Sequence, residues 1–294
     1  MTAQIRRCAI PALLAPILAL GSVTAGTQSA ADKSIFVAVV DEAGTPVTDL
    51  SVEEFRIRED GVDRELTTVR RATQPLNVML LGDTTQDAEP FARDIRVALT
   101  AFVRQTLGAS PDSQISLMEF GQAAIAVTPF TKDAEALERG INKLVAKPSA
   151  ASVLLEALIE ASNTLGRRPS PRRAIVSLNL EPSNEQSREE PNRIIESLRR
   201  SVAQVWAVSL QNGPLRNPKR DVVLNQLTKN TGGRREFIVG QSALETILKS
   251  FADALTAQYE VIYKRPAGVR SAKIVQTGLT RQGLRLHASL YAPR

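Results

Sequence analysis

Two kinds of hydrophobic pattern divide the chain. Between residues 34 and 74, short β-branched or alternating runs are separated by turn residues, and residues 55–59 alternate apolar and charged with period two. That period is typical of a half-buried strand. Asp60-Gly61 follows and favours a tight hairpin, whose returning strand we predict over residues 65–70. Short runs of the same kind reappear after residue 259, so both ends are predicted to be β structure.

The middle of the chain alternates buried-strand and helix patterns. Residues 76–81 are mostly apolar, as in a strand covered on both faces, and residues 91–107 carry apolar side chains at helical spacing. The same order repeats, with strands predicted at 115–120, 123–127 (antiparallel), 174–178, 205–209 and 235–239, and helices at 133–144, 153–165, 192–202, 222–230 and 242–257. Gly232-Gly233 is predicted to stop one helix and Ser242 to cap another.

Strands that alternate with helices favour an α/β fold with a doubly wound, mostly parallel sheet. We assign residues 75–258 to this domain. Residues 26–74 and 259–294 are predicted to pair with each other as a small accessory β module, into which the α/β domain is inserted. A ligand site is expected beyond the carboxyl ends of the parallel strands.

Residues 1–25 are predicted to be a signal peptide. Arg6 and Arg7 precede an apolar run over residues 9–20, and small residues lead to Ala25, after which cleavage is expected. An uncleaved anchor is the alternative, although the run is short for a bilayer span. We therefore expect a periplasmic or extracellular protein without a transmembrane span in the mature chain. Cleavage would also remove Cys8, the only cysteine, and with it any disulfide, thiolate zinc site or cysteine nucleophile.

The formal charge of +6 does not indicate nucleic-acid binding. The basic residues are dispersed between the predicted elements, and aromatic residues make up only 4% of the chain, whereas a nucleic-acid surface needs clustered cations. We interpret the basic pairs as solvated surface. These pairs are Arg167-Arg168, Arg172-Arg173, Arg199-Arg200, Lys219-Arg220 and Arg234-Arg235.

The loop after the first buried strand is the candidate for chemistry. Asp83, Thr85 and Asp87 place three oxygen-bearing side chains at alternate positions, and such a set can converge on a hard cation such as Mg²⁺. The alternative is that Asp83 and Asp87 cap the following helix, because anionic side chains stabilise helix N-termini.

This loop resembles the metal-binding motif of the von Willebrand factor type A family. The family motif is Asp-x-Ser-x-Ser, with a distant Thr and a further Asp. Asp83 matches the first aspartate, Thr85 stands at the first serine, and Asp87 departs from the second serine. Ser152 resembles the counterpart of the threonine, and Asn179 departs from the final aspartate. The resemblance implies a degenerate metal-ion-dependent adhesion site made of these five residues, with Mg²⁺ as the possible ion.

Segments outside the motif resemble bacterial proteins of this family that are typical of acidobacteria. They are residues 37–61, Thr231-Gly232-Gly233-Arg234, Gln258-Tyr259 and Tyr291-Ala292-Pro293, and the resemblance extends over residues 33–294. It implies a module that binds another protein through the loops after residues 81, 151 and 179.

Enzyme chemistry finds little support in the sequence. His287 is the only histidine, and the chain lacks a Gly-x-Ser-x-Gly elbow, so we interpret His287 as a surface or interdomain residue. Our prediction is an exported, non-enzymatic protein-binding module for adhesion or scaffolding, with no nucleic-acid partner. A purely structural envelope protein with a non-functional metal site is the first alternative, and a hydrolase is the second.

Overall fold

The computed structural model describes residues 31–214 and 217–293. The predicted signal peptide and Cys8 lie outside these residues. The strands are β1 (Ala31–Val40), β2 (Phe55–Glu59), β3 (Val62–Arg64), β4 (Leu66–Arg71), β5 (Asn77–Gly82), β6 (Gln114–Glu119), β7 (Ile125–Thr131), β8 (Arg173–Leu180), β9 (Gln204–Leu210), β10 (Arg235–Ile238), β11 (Tyr259–Arg265), β12 (Val275–Leu279) and β13 (Arg285–Ala288). The α-helices are α1 (Ala92–Ala109), α2 (Ala134–Asn142), α3 (Leu154–Gly166), α4 (Pro191–Ser201), α5 (Pro218–Thr231) and α6 (Leu244–Thr256).

The central sheet has the strand order β10-β9-β8-β5-β6-β7, and its strands are parallel except for the antiparallel β7. Both faces are covered. Val78 and Leu80 of β5 pack in the cluster formed with α1, α2 and α6, whereas Met79 and Leu81 pack with α3, α4 and α5. Burial on both faces explains why β5 is a continuous apolar run. The predicted doubly wound α/β sheet is confirmed.

The terminal segments form two further antiparallel sheets, ordered β13-β1-β11-β4 and β12-β2-β3. Strands from the two ends of the chain pair with each other in both sheets, as predicted, and they alternate along the four-stranded one. Their inner faces share one apolar cluster, in which the Phe55 and Tyr259 rings meet edge to face with centroids 5.4 Å apart.

The predicted hairpin forms, but its returning strand is not residues 65–70. Asp60 and Gly61 both have positive φ, and β2 pairs with the short β3. The chain then passes to the other sheet, where β4 pairs with β11. The single run seen in the sequence is thus two strands in different sheets, and Leu66 and Val69 of the second strand pack against the shared apolar cluster.

Two further details concern single residues. The predicted Ser242 cap is wrong, because a 3₁₀ turn, Gln241–Ala243, precedes α6 and no side chain caps the helix. His287 lies on β13 and contacts the central domain, with Nδ1 3.2 Å from the Gly233 carbonyl oxygen and its ring 5.2 Å from the Trp206 ring. Burial, opposed by the bond to Gly233, lowers the pKa of His287 to about 4.

In the described residues no helix has both the length and the apolar character needed to cross a bilayer.

The helix stop at Gly232-Gly233 is confirmed and makes a close contact. Gly232 ends α5 in the left-handed conformation, with φ of 75°. A Cβ on Gly233 would lie 1.8 Å from the Val205 carbonyl oxygen, which is backbone and cannot move aside freely.

Gly233→Ala is therefore expected to lower the free energy of unfolding by about 1–3 kcal/mol through overpacking. Gly108→Ala is the matched control, because a Cβ there would have no neighbour within 4 Å and alanine favours the helix. Urea unfolding of both variants measures the difference. Equal free energies of unfolding for the two variants would contradict the close approach of Gly233 to the Val205 carbonyl oxygen.

Candidate functional site

The candidate site lies at the carboxyl ends of β5 and β8, where Asp83 joins two neighbouring strands. Asp83 is 3% exposed. Its Oδ1 accepts hydrogen bonds from the Thr85 amide at 2.9 Å and the Thr85 hydroxyl at 2.6 Å. Its Oδ2 accepts one from the Leu180 amide at 2.8 Å. The carboxylate therefore fixes the loop after β5 against the end of β8.

The end of β8 and the segment that follows it, residues 180–187, connect the other predicted residues. The Thr85 Oγ1 lies 2.8 Å from the Ser183 Oγ. Ser152 is fully buried, and its hydroxyl donates to Glu185 Oε2 at 2.8 Å while its amide donates to the Asn184 carbonyl oxygen. We call the surface formed by residues 83–91, 150–152 and 179–187, at the carboxyl ends of β5 and β8, the rim.

Asn179 lies within β8, not after it. It is fully buried, and its side-chain amide donates to Glu181 Oε1 at 2.9 Å and to Ser209 Oγ at 3.3 Å. Its own Oδ1 has no hydrogen-bond partner. Asn179 thus faces Glu181 and β9, whereas Asp83 faces Thr85 and Leu180.

Asp87 is the predicted ligand that shares no described hydrogen bond with the network of the other four. It is half-buried in a 3₁₀ turn, Gln86–Phe91, that precedes α1. Among the described contacts, no hydrogen bond joins Asp87 to Asp83, Thr85, Ser152 or Asn179. The capping alternative is also wrong for α1, because the cap position of that helix is Phe91 and no side chain caps it.

Arg220 is the central residue that the sequence analysis missed. It lies in the first turn of α5 with no exposed surface. Its guanidinium donates to three carbonyl oxygens of the rim segment, those of Leu180, Glu181 and Ser183, at 2.7–3.1 Å. It also lies 3.5 Å from the Glu181 carboxylate and 3.7 Å from that of Glu185.

The interpretation of the basic pairs as solvated surface is therefore wrong for several members. Arg220 is 0% and Arg172 is 2% exposed, and the Arg235 side chain is 4% exposed. Arg235 is ion-paired to Glu181 at 2.8 Å and to Asp221 at 2.6 Å. Two glutamates four residues apart, directly after a buried strand, are the sequence signal that could have indicated buried cationic partners.

The three buried carboxyl groups of the rim, those of Asp83, Glu181 and Glu185, differ in the direction in which their pKa values are shifted. Burial alone would raise the pKa of Glu181, but the Ser209 hydroxyl, Arg220 and Arg235 together lower it. Burial raises the pKa of Glu185, and its hydrogen bonds from Ser187 and Ser152 only partly oppose this. Burial also raises the pKa of Asp83, against the bonds from Thr85 and Leu180 and the charge of Arg220.

These residues do not fit a divalent cation. Mg²⁺ needs oxygen ligands directed at one point, but Asp83, Ser152 and Asn179 are hydrogen-bonded to different partners, and Asp87 is bonded to none of the other predicted ligands. Residues 31–214 and 217–293 contain no group of three or more His, Cys, Asp or Glu side chains placed to hold a metal. Protein cations already lie beside two of the buried carboxylates, Arg220 near Glu181 and Glu185 and Arg235 near Glu181.

We therefore expect millimolar MgCl₂ or CaCl₂ to raise the unfolding midpoint by less than about 1 °C, since only a bound ligand stabilises the native state. Thermal unfolding with and without EDTA measures this. A saturable rise of several degrees that is lost in Asp83→Asn would show that the loop does hold a metal.

A sequence model described as the von Willebrand factor type A domain matches residues 79–178. The chain contains a von Willebrand factor type A domain. The match begins in β5 and ends in β8, so it includes Asp83, Thr85, Asp87 and Ser152 and stops one residue before Asn179. No curated protein matches the chain.

Solved structures agree with this fold. A von Willebrand factor type A protein from Catenulispora acidiphila aligns with a TM-score of 0.50 and 12% identity, over 88% of this chain and 75% of its own. Proximal thread matrix protein 1 from the mussel byssus aligns with a TM-score of 0.52 and 15% identity. In that structure the metal-ion-dependent adhesion site (MIDAS) motif is occupied by zinc. That alignment covers 63% of this chain and 49% of the mussel protein.

Proposed function

We propose that this chain is an exported, non-enzymatic module that binds another protein on the rim without a metal. The observation that carries the proposal is the closed cluster around Arg220, which holds three separate loops in one arrangement. Beside it, the rim has a cleft of about 290 Å³. Its lining includes Gln86, Asp87, Glu89, Pro90, Pro182 and Asn212.

The non-enzymatic part rests on the environment of the hydroxyl groups. The Thr85 and Ser152 hydroxyls are fully buried and bonded to carboxylates, so neither is presented to a substrate. The only histidine, His287, contacts Gly233 and Trp206 at the other end of the central sheet. A nucleophile with an adjacent histidine base, as in hydrolases, is therefore not supported.

Export rests on the pattern of residues 1–25. Adhesion or scaffolding is the role that such a domain in an exported chain suggests. The alternative of a purely structural envelope protein is favoured by one observation, namely that the buried charges of the rim are satisfied within the chain.

Affinity capture separates the two roles. The mature chain, immobilised, is expected to retain a discrete protein from envelope extract of its own source, equally with and without EDTA. Glu89→Arg combined with Asn212→Arg should abolish retention, because both residues line the rim cleft. Glu160→Arg on the exposed side of α3 is the control. Retention that needs a divalent ion would contradict metal-independent binding, and unchanged retention by the rim variant would contradict the docking surface.

A further inference from the structure

A second cleft lies at the opposite end of the central sheet. Its volume is about 180 Å³, and it opens between the amino ends of β8 and β9 and the start of β1. We call it the amino-end cleft. The polar lining includes Arg172, Arg173, Gln204 and Gln258 together with three hydroxyl-bearing residues, and the Phe36 ring forms part of the wall. Among the described residues, no aspartate or glutamate lines it.

The two arginines of this cleft are held by neutral groups only. Arg172 is 2% exposed and donates to the Gln74 and Leu255 carbonyl oxygens, both at 2.7 Å, and to Gln258 Oε1 at 3.3 Å. Arg173 donates to three carbonyl oxygens at 2.6–2.9 Å. Within the described part of the chain, neither forms an ion pair with a carboxylate, in contrast to Arg220 at the rim.

The carboxylate whose charge acts on Arg172 is already engaged elsewhere. Glu260 acts on the charge of Arg172, but its oxygens accept hydrogen bonds from Arg70 and Gln74. Burial, and then the charge of Arg71, lower the pKa of Arg172 to about 10. Positive charge is therefore in excess around the cleft. A buried charge without a counter-ion is unfavourable, so an anion in the cleft would stabilise this arrangement.

We propose that the amino-end cleft binds a small organic carboxylate. Its charged end would face Arg172 and Arg173, and its apolar part would pack on Phe36, whose ring centroid lies 6.0 Å from the Arg172 guanidinium carbon. Ile35 and Val202 supply further apolar lining. The cleft volume of about 180 Å³ is small, so the ligand is a compact molecule and not a peptide.

The only tryptophan reports on this cleft. The Trp206 indole donates to Gln204 Oε1 at 3.4 Å, and Gln258 donates to the same oxygen at 2.7 Å. Because Gln204 and Gln258 line the cleft, a ligand that moves either amide changes the environment of the indole.

The test is a titration of the mature chain with cyclohexanecarboxylate, followed by Trp206 fluorescence and by the unfolding midpoint. We expect a saturable fluorescence change and a concentration-dependent rise of the midpoint. Cyclohexylmethanol, which has the same apolar ring without the charge, should give neither. Equal binding of the alcohol, tighter binding of inorganic phosphate than of the carboxylate, or no saturable signal would overturn the proposal.

Variants locate the binding. Arg173→Gln should weaken it about tenfold to hundredfold, the usual effect of losing a charge-assisted hydrogen bond. Ser34→Phe should abolish it by filling the cleft without changing any charge. Arg167→Gln removes the same charge from an exposed position outside the cleft lining and should bind like the wild type. Undiminished binding by folded Ser34→Phe would refute this location even if Arg173→Gln does not fold.

Discussion

Arg220→Met is expected to lower the free energy of unfolding by about 3–5 kcal/mol, the usual loss when one partner of a buried ion pair is removed. Methionine retains much of the side-chain volume, so the main change is the loss of charge and of the donors to Leu180, Glu181 and Ser183. Glu181 and Glu185, whose side chains are 1% exposed, would then remain buried without this cation. Urea unfolding measures the loss.

Lys219→Met is the matched control. Lys219 precedes Arg220 and lies 3.7 Å from Glu190, but its side chain is 37% exposed, and exposed pairs contribute at most about 1 kcal/mol. The triple variant Glu181→Gln, Glu185→Gln, Arg220→Met should recover part of the loss, because it removes the uncompensated charges together. A loss below about 1 kcal/mol for Arg220→Met alone would contradict the role assigned to this cation.

Glu59→Gln is expected to destabilise the protein by about 3 kcal/mol or more. Glu59 is 1% exposed on β2, and its carboxylate accepts bonds from Arg64 at 3.0 Å, from the Tyr263 hydroxyl at 2.6 Å and from Arg265. It therefore joins the sheet of β2 to the sheet of β11. An amide carries no charge and cannot accept all these bonds, so two buried cationic groups would lose their partner. Glu65→Gln, at an exposed position between β3 and β4, is the control.

The same carboxylate predicts a pH dependence. Burial alone would raise the pKa of Glu59, but the bonds from Arg265, Tyr263 and Arg64 outweigh it and place the pKa below the ordinary 4.5. The folded pKa is thus below the unfolded one, so this stabilisation is complete above about pH 4.5 and is lost as the pH falls through the folded value. Unfolding midpoints between pH 3 and pH 7 should fall less steeply for Glu59→Gln than for the wild type. Parallel profiles would contradict the prediction.

The central sheet could be predicted because its signals are local. A strand covered on both faces is apolar throughout, and the helices that cover it repeat apolar positions every three or four residues, as in β5 and α1. The change to β patterns after residue 259 also sufficed to predict that the two ends pair. The passage between sheets at Glu65 could not be predicted, because it depends on which distant strand is available for pairing.

The arrangement of side chains at the rim was harder to predict from sequence patterns. Motif spacing brought all five predicted residues to the rim, but it could not show that Asp87 is hydrogen-bonded to none of the other four or that Asn179 donates to Glu181. Arg220 is 40 residues from Leu180 in sequence, and Lys219-Arg220 looks like any solvated basic pair. Only the packing of α5 beside the end of β8 turns this arginine into the counter-ion of two glutamates.

The interleaving of strands from both ends has a consequence for biosynthesis. Tyr263 and Glu59 are 204 residues apart, so β1 to β4 leave the ribosome long before the C-terminal strands they pair with. The α/β domain can complete its own sheet in that interval, while β1 to β4 still have unpaired edges, which can pair with other chains and cause aggregation. Holding these edges apart until the last strands arrive is a task for which a chaperone would be useful.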